Sequence, residues 1–339
     1  MGGDGRRCLL LGAHPQHLPI SARGIEYVEW LLPGAVLDLA SAPPEGVFFA
    51  RLSASSHTRT DPHVKEYGRA VLAWLEAAGR TVVNGAGVYE LEVSKIRQHR
   101  ALAQHGFTAP RTTAVFGHES LTQAARAFTP PFITKHNQGG KGLGVRRFES
   151  HAELESVAAK FAPGGENEPV DGITLIQNYV QPAEPFITRA EFIGGRFHYA
   201  VKVDVSGGSF ELCPAVVCEI PQPGLAGSAC SVPDASDQSN DDRSAALPAA
   251  EQFSRRTDIT AETPLIRQLE AFLAEYRIEI AGVEFIETVT GEQVVYDINT
   301  NTNYNPAVET AEAAAGRVPA ARRLAQHLKH VLERDHAVR

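Results

Sequence analysis

Short apolar runs of strand length open this chain. Cys8–Gly12, Ala35–Leu39, Val47–Leu52 and Thr81–Asn84 each read as a strand. Between the last two, Val64–Ala78 repeats its apolar positions at helical spacing. Strands alternating with helical pattern predict an open α/β sheet whose ligand-facing loops lie at strand ends.

Further on, the period changes. Glu90–Gly106 reads as a helix closed by its glycine. Pro131–His136 and Ile173–Tyr179 read as strands, and Phe186–Phe192 and Phe197–Asp204 as a hairpin turning at Gly194 and Gly195. Residues 221–262 are rich in Ser, Ala, Asp and Pro, and are expected to form a long surface insertion or a disordered loop. Pro264–Tyr276 returns to helical pattern. Gly282–Thr288 and Gln293–Ile298 form a second strand pair around Thr290–Glu292, and Pro319–Glu333 is a closing helix with proline in its first turn. No internal repeat is visible.

Composition narrows the classes. A chain of 339 residues suits two or three subdomains around a shared cleft. The net charge of −8 and the lack of a Lys/Arg block argue against nucleic acid as a partner. No apolar run approaches the ~18 residues of a membrane span, and Cys8–Gly12 is too short for a signal-peptide core. Cys8, Cys213, Cys218 and Cys230 are few and irregularly spaced, which predicts reduced thiols in a cytoplasm; Cys213 and Cys218 lack a second pair at zinc spacing and read as small buried hydrophobes.

Three constellations carry candidate chemistry. Glu284 and, beyond the turn, Asp297 and Asn299 lie on adjacent predicted strands, so two carboxylates and an amide oxygen converge, a donor set that suits Mg²⁺. Alternation places Asp297 and Asn299 on one face, with Tyr296 and Ile298 on the other. The bland alternative is a solvated strand face. The second constellation is Lys135 at the end of a strand, followed by Gln138, Gly139, Gly140, Lys141, Gly142, Gly144 and Val145. Small residues let backbone N–H groups approach phosphate, and the spacing matches neither a Walker A loop nor the dinucleotide fingerprint. A glycine-rich hairpin tip would look the same. The third is Gln177, Asn178, Tyr179 and Val180, an apolar strand with a polar exit, with Glu184, Arg189 and Lys202 downstream. Arg189 and Lys202 fall on facing strands, where they could clamp phosphates or simply line an exposed sheet.

In combination and order, these features resemble the ATP-grasp superfamily, and within it the RimK-type amino-acid ligases related to glutathione synthetase and D-alanine–D-alanine ligase. Ser94 and Lys95, opening a helix, are similar to the family's first ATP-binding lysine site, and Ala109–Thr112 to its P-x-T segment. Lys135 resembles the second phosphate-contacting lysine, Gln138–Val145 the loop that closes over the phosphates, and Gln177–Val180 the hinge. Arg189 stands twelve residues after Gln177, the RimK-type spacing, and Glu284, Asp297 and Asn299 resemble the acid, acid-x-Asn metal set. The resemblance covers roughly residues 46–310. It implies an α+β ATP-grasp architecture: a pre-ATP-grasp α/β domain over 1–90, a central lobe over 91–176, and a C-terminal lobe over 177–339. The implied ligands are ATP and two Mg²⁺ ions, with Mn²⁺ as a substitute.

The chain also departs from the pattern. Ile187 stands where RimK-type ligases usually have Asp, so the ribose-binding acid is placed at Glu184, and the metal pair runs Glu then Asp instead of the reverse. The run Phe210–Ala215 and the insertion lie outside the general pattern. The resemblance implies a carboxylate–amine ligase acting through an acyl phosphate on small acid and amine substrates. A different ATP-grasp phosphoryl transfer and a non-catalytic nucleotide-binding module are the alternatives. A homo-oligomer is allowed. Two segments are candidates for reading substrate: Arg51–Arg59, with Arg51 offering a bidentate fork to a carboxylate, and Asn299–Asn305, with Asn301 beside the reaction centre.

Overall fold

The computed structural model describes residues 8–13, 27–58, 61–140, 142, 144–206 and 253–338. Three sheets organise them. The first is parallel: β1 (Cys8–Gly12), β2 (Tyr27–Leu31), β3 (Val47–Arg51) and β4 (Thr81–Val83), in the order β2-β1-β3-β4. β1 and β3 are buried on both faces, as continuous apolar strands require. One face packs on helix α1 (Val64–Ala77) through Val71, Leu72 and Leu75. The other packs on the C-terminal helix Ala320–Val338 through Leu324, Leu328 and Val331. The first and last described elements thus share one core.

The expected strand at Ala35–Leu39 is not there; the edge strand is Tyr27–Leu31. Leu32 and Trp30 already fill that side of the core, and the turn at Pro33 and Gly34 (φ 75°) carries the chain outward, leaving Val36 and Leu39 at the surface.

The helix expected over Glu90–Gly106 is two helices, α2 (Ala86–Glu92) and α3 (Lys95–Gln104). Extended backbone at Ser94 separates them, and its hydroxyl caps α3 by accepting from Arg97 N. Asn137 binds the same helix end, accepting from Lys95 N with its carbonyl and from Ile96 N with its side chain. Gly106 (φ 71°) follows the C-terminus, as its sequence position predicts.

The second sheet is antiparallel in the order β5-β8-β6-β7, with β5 Thr112–Phe116, β6 Phe132–His136, β7 Arg146–Phe148 and β8 Ile173–Asn178. The glycine-rich loop is the connection from β6 to β7. The third sheet runs β11-β10-β9-β12-β13, with β9 Phe186–Ile193, β10 Arg196–Asp204, β11 Phe253–Arg256, β12 Ile280–Glu287 and β13 Gln293–Asn299. Gly194 and Gly195 both take positive φ in the predicted hairpin turn. One face of this sheet packs on the helix Pro264–Glu275 and on α2 and α3. Of the insertion expected over 221–262, Phe253–Arg256 is a strand paired to β10, and 221–252 lies outside the described residues.

Candidate active site

The third sheet brings the acidic residues together. Glu284 pairs with Arg189 on one side and with Asp297 on the other, so the three side chains share a face. A bulge between Glu284 and Phe285 inserts an extra residue into β13. Tyr296 therefore joins the Asp297 face rather than opposing it, and its hydroxyl donates to Glu284 Oε2 at 2.9 Å. Strict alternation, as read from the sequence, fails at that position. Ile298 lies in the opposite core, as expected.

Arg189 is clamped from three directions. Nε donates to Glu191 Oε1 at 2.7 Å, Nη1 to Glu284 Oε1 at 2.9 Å, and Nη2 to Thr302 Oγ1 at 2.5 Å. Burial disfavours its charge, but the two carboxylates outweigh that cost and hold the guanidinium firmly protonated. Gly282 makes the arrangement possible, because a Cβ there would stand 2.6 Å from Arg189 Nη2.

Lys95 and Lys135 arrive from the other lobe. Lys95 Nζ donates to Asp297 Oδ1, and Lys135 Nζ lies 3.5 Å from the Tyr296 carbonyl oxygen. Burial opposes the charge of Lys95, but Asp297 raises its pKa overall; Lys135, buried and beside Lys95, is pushed down to about 7. Burial also acts against both carboxylates. It raises Glu284, while the two lysines overcome it at Asp297 and lower that group. Asn299 Nδ2 stands 3.4 Å from both Glu284 Oε1 and Asp297 Oδ2. A cation between the carboxylates would draw the amide oxygen, and not its N–H groups, inward. Two carboxylates and one amide oxygen are what a divalent cation takes when phosphate and water supply the rest.

The remaining expected residues divide. Gln138, Gly139 and Gly140 open the loop after Lys135, and Gly142 and Gly144 take φ near 76° and 77°; Lys141 lies outside the described residues. Gln177 turns its amide to Thr112 Oγ1 at 2.9 Å and His99 Nε2 at 3.1 Å, which fixes the end of β8 and leaves Asn178, Tyr179 and Val180 as the exit. The Tyr179 ring lies under the Arg147 guanidinium at 4.1 Å.

Two expectations are corrected. Lys202 does not clamp with Arg189: it pairs with Thr188, so its side chain leaves the opposite face of the hairpin. There it lies over Phe186 at 4.1 Å, with its ammonium 4.0 Å from Glu184 Oε2. Arg51 does not open onto the cleft as a free fork. It is 2% exposed, with Nη1 on the Thr302 carbonyl at 2.7 Å and Nη2 on Asn303 Oδ1 at 2.7 Å. Burial draws its pKa down to about 10. Arg51 thus holds the loop that follows the acidic strand. In that loop, Asn301 Oδ1 is buried and has no hydrogen-bond partner among the described residues. Arg59, at the far end of the other expected substrate segment, lies outside the described residues.

Sequence reasoning missed Glu191, Glu92, Thr302 and His99. Glu191 was legible, since it stands two residues after Arg189 and so on its face of the strand. Glu92 was not. It sits in a helix, yet its carboxylate accepts from Ala54 N at 3.1 Å and from Thr300 N and Oγ1, each at 2.8 Å, tying three distant segments together.

No protein-family model matches the chain. A probable alpha-L-glutamate ligase of Aeromonas salmonicida is 26% identical over 145 residues, covering 42% of this chain and 47% of that protein. The chain therefore spans about half the length of the curated relatives it matches. The structure of a RimK domain ATP-grasp protein from Sphaerobacter thermophilus superimposes with a TM-score of 0.62 at 17% identity, over 95% of this chain and 98% of that one. A D-Ala:D-Ser ligase of Enterococcus faecalis gives 0.60 at 12%, over 96% and 99%. Two antiparallel sheets joined through two lysines and an acidic strand, together with superpositions that run over 95% and 96% of this chain, show that it has the fold of ATP-grasp proteins.

Proposed function

We propose that this protein is an ATP-dependent carboxylate–amine ligase of the RimK type. The observation that carries the reading is the convergence of Lys95 at the start of α3, Lys135 on the second sheet, and Arg189, Glu284, Asp297 and Asn299 on the third. Three cations beside two buried carboxylates suit a polyphosphate bound with divalent metal, and ATP with Mg²⁺ is the pair that fits. The reading takes two such ions, with Mn²⁺ as a substitute.

Each residue has a part. Lys95 and Lys135 neutralise phosphate oxygens, and Arg189, already fixed by its carboxylates, offers charge where the γ-phosphoryl group transfers. Glu284, Asp297 and Asn299 would hold Mg²⁺, which would supply charge neutralisation at the phosphates. A substrate carboxylate oxygen attacks the γ-phosphorus, ADP leaves, and the acyl phosphate forms. The amine attacks its carbonyl carbon, inorganic phosphate leaves, and the amine proton passes to solvent or phosphate. Closed over this centre, the loop from Gln138 to Val145 would exclude the water that hydrolyses the intermediate. Asn178–Val180 receive the adenine and Glu184 the ribose. Lys202, 4.0 Å from Glu184 Oε2, would then stand near the nucleoside. The Asn301 amide, with its unmet oxygen, receives the incoming amine.

The reading divides the chain at 1–90, 91–176 and 177–339; the three separate sheets support it, while β8 crosses the second boundary, α3 shares the core of the third sheet and Ala320–Val338 that of the first. An intact charge set of this kind disfavours a non-catalytic binding module. The test is a screen of amino acids, small acids and short peptides for ADP release, with mass spectrometry of the products. Release of ADP and phosphate in step with an amide product supports the ligase. ADP appearing with a stable phosphorylated product would replace it with a kinase.

A further inference from the structure

Glu191 is a buried carboxylate with no part in the proposed chemistry. It is 2% exposed and stands two residues after Arg189 on β9, on the same face of the strand. Both of its oxygens are used. Oε1 accepts from Arg189 Nε at 2.7 Å, and Oε2 accepts from Thr302 Oγ1 at 2.9 Å. Thr302 Oγ1 in turn accepts from Arg189 Nη2 at 2.5 Å, so Arg189, Thr302 and Glu191 close a hydrogen-bonded ring. The Thr302 carbonyl is held by Arg51 Nη1 at 2.7 Å. The ring thus ties β9 to the loop after β13.

Glu284 stands on the other side of the guanidinium. Its Oε2 accepts from the Tyr296 hydroxyl at 2.9 Å, and its Oε1 from Arg189 Nη1 at 2.9 Å. The same Oε1 is the atom nearest Asn299, whose Nδ2 lies 3.4 Å from it and 3.4 Å from Asp297 Oδ2. A divalent cation gathered by Glu284, Asp297 and Asn299 therefore competes with Arg189 for one oxygen. Two positive charges on one carboxylate repel strongly where water is scarce. A buried guanidinium beside a metal needs an anion of its own, and Glu191, whose oxygens face Arg189 and Thr302, is that anion.

We propose that Glu191 is a positioning residue for the metal: it holds and neutralises Arg189, so that Glu284 is left to take a divalent cation. The inference rests on the metal–nucleotide reading of the site and adds a residue to it. Without the Glu191 charge, Glu284 is the one carboxylate left to Arg189 among the described residues, and the guanidinium competes with the cation for it. Glu191 acts through Arg189, because a buried carboxylate deprived of its guanidinium takes up a proton and loses its charge.

The test is calorimetry on the full chain with a non-hydrolysable ATP analogue, once with saturating Mg²⁺ and once in EDTA. The ratio of the two affinities measures what the metal adds. Glu191→Gln keeps the shape and removes the charge. The ratio should fall by ~10-fold or more, the scale of losing a residue that supports a metal ligand. Affinity in EDTA should hold or rise, because the variant loses a negative charge beside a polyphosphate. Disturbed packing would weaken binding in both conditions. Arg189→Met removes the competitor, and in that background Glu191→Gln should change the ratio by less than about threefold. Should Glu191→Gln fail to fold, Thr302→Val decides: it opens the ring with both charges in place, and the ratio should fall by ~3-fold or more. A ratio unchanged in the decisive variant, or lowered equally with and without Arg189, overturns the proposal. A parallel loss of affinity in EDTA overturns it as well. A wild type whose affinity gains nothing from Mg²⁺ sinks the metal reading together with this one. A ratio that behaves as expected, with no amide product from any substrate, sinks the ligase and leaves the role of Glu191 standing.

Discussion

Charge at single atoms dominates the proposed chemistry, so the sharpest expectations concern single residues. Asp297 balances two lysines and is ionised despite its burial. Asp297→Asn keeps the shape and removes one negative charge beside the metal position. ADP release at saturating Mg²⁺ should fall by roughly 100-fold, the scale of one preorganised electrostatic group; turnover near wild type would remove Asp297 from the metal set. Arg51 offers a different lesson. Its fork spans Thr302 and Asn303, and a lysine has one nitrogen where two are needed. Arg51→Lys should lower stability by ~1–3 kcal/mol, read from the urea midpoint, and raise the KM for the acceptor, because the loop carrying Asn301 loses its anchor. ATP affinity should stay within about threefold. An equal loss of ATP affinity would mean that Arg51 serves the nucleotide.

At the scale of the element, β12 and β13 show how a strand pair aims several groups at once. Their bulge sets Tyr296 beside Asp297, and Gly282 leaves the space that the Arg189 guanidinium fills. Gly282 has no positive φ to justify it, so its role is close approach alone. Gly282→Ala should push Arg189 off Glu284 and Glu191. Turnover should fall by ~10-fold or more while the far-ultraviolet circular dichroism is retained. Wild-type turnover in this variant would show that Arg189 has freedom the packing denies it.

Across the whole molecule, the two lobes meet through buried polar contacts, and these make the fold sensitive to acid. His99 on α3 accepts from Gln177 on β8, and burial first, then Lys135 and Lys95, press its pKa down to about 3. The unfolded chain takes up a proton near pH 6.5 that the folded chain refuses. Below that pH the unfolded state binds more protons, so stability should decline steadily as the pH falls from about 6.5 towards 3. Urea midpoints at stepped pH should show this decline, and His99→Gln should flatten it. A variant with the wild-type slope would assign the acid sensitivity to other groups.

Periodicity and residue order determined much of this protein. The hairpin at Gly194 and Gly195, the lysine at the end of β6 and the opposition of Glu284 to Asp297 follow from spacing alone, because each is set by neighbours along the chain or by the two-residue repeat of a strand. The ordered set of motifs also carried the superfamily resemblance. What failed was decided at longer range. The strand expected at Ala35–Leu39 lost to Tyr27–Leu31 because β1 accepts one parallel partner on that side. Lys202 left Arg189 because register, not proximity on a hairpin, assigns faces. Glu92 gathers Ala54 and Thr300, and Lys65 backs His57, through contacts whose partners lie in other elements. No periodicity records such contacts: they exist only once three sheets have packed and buried polar groups must find partners or ligands.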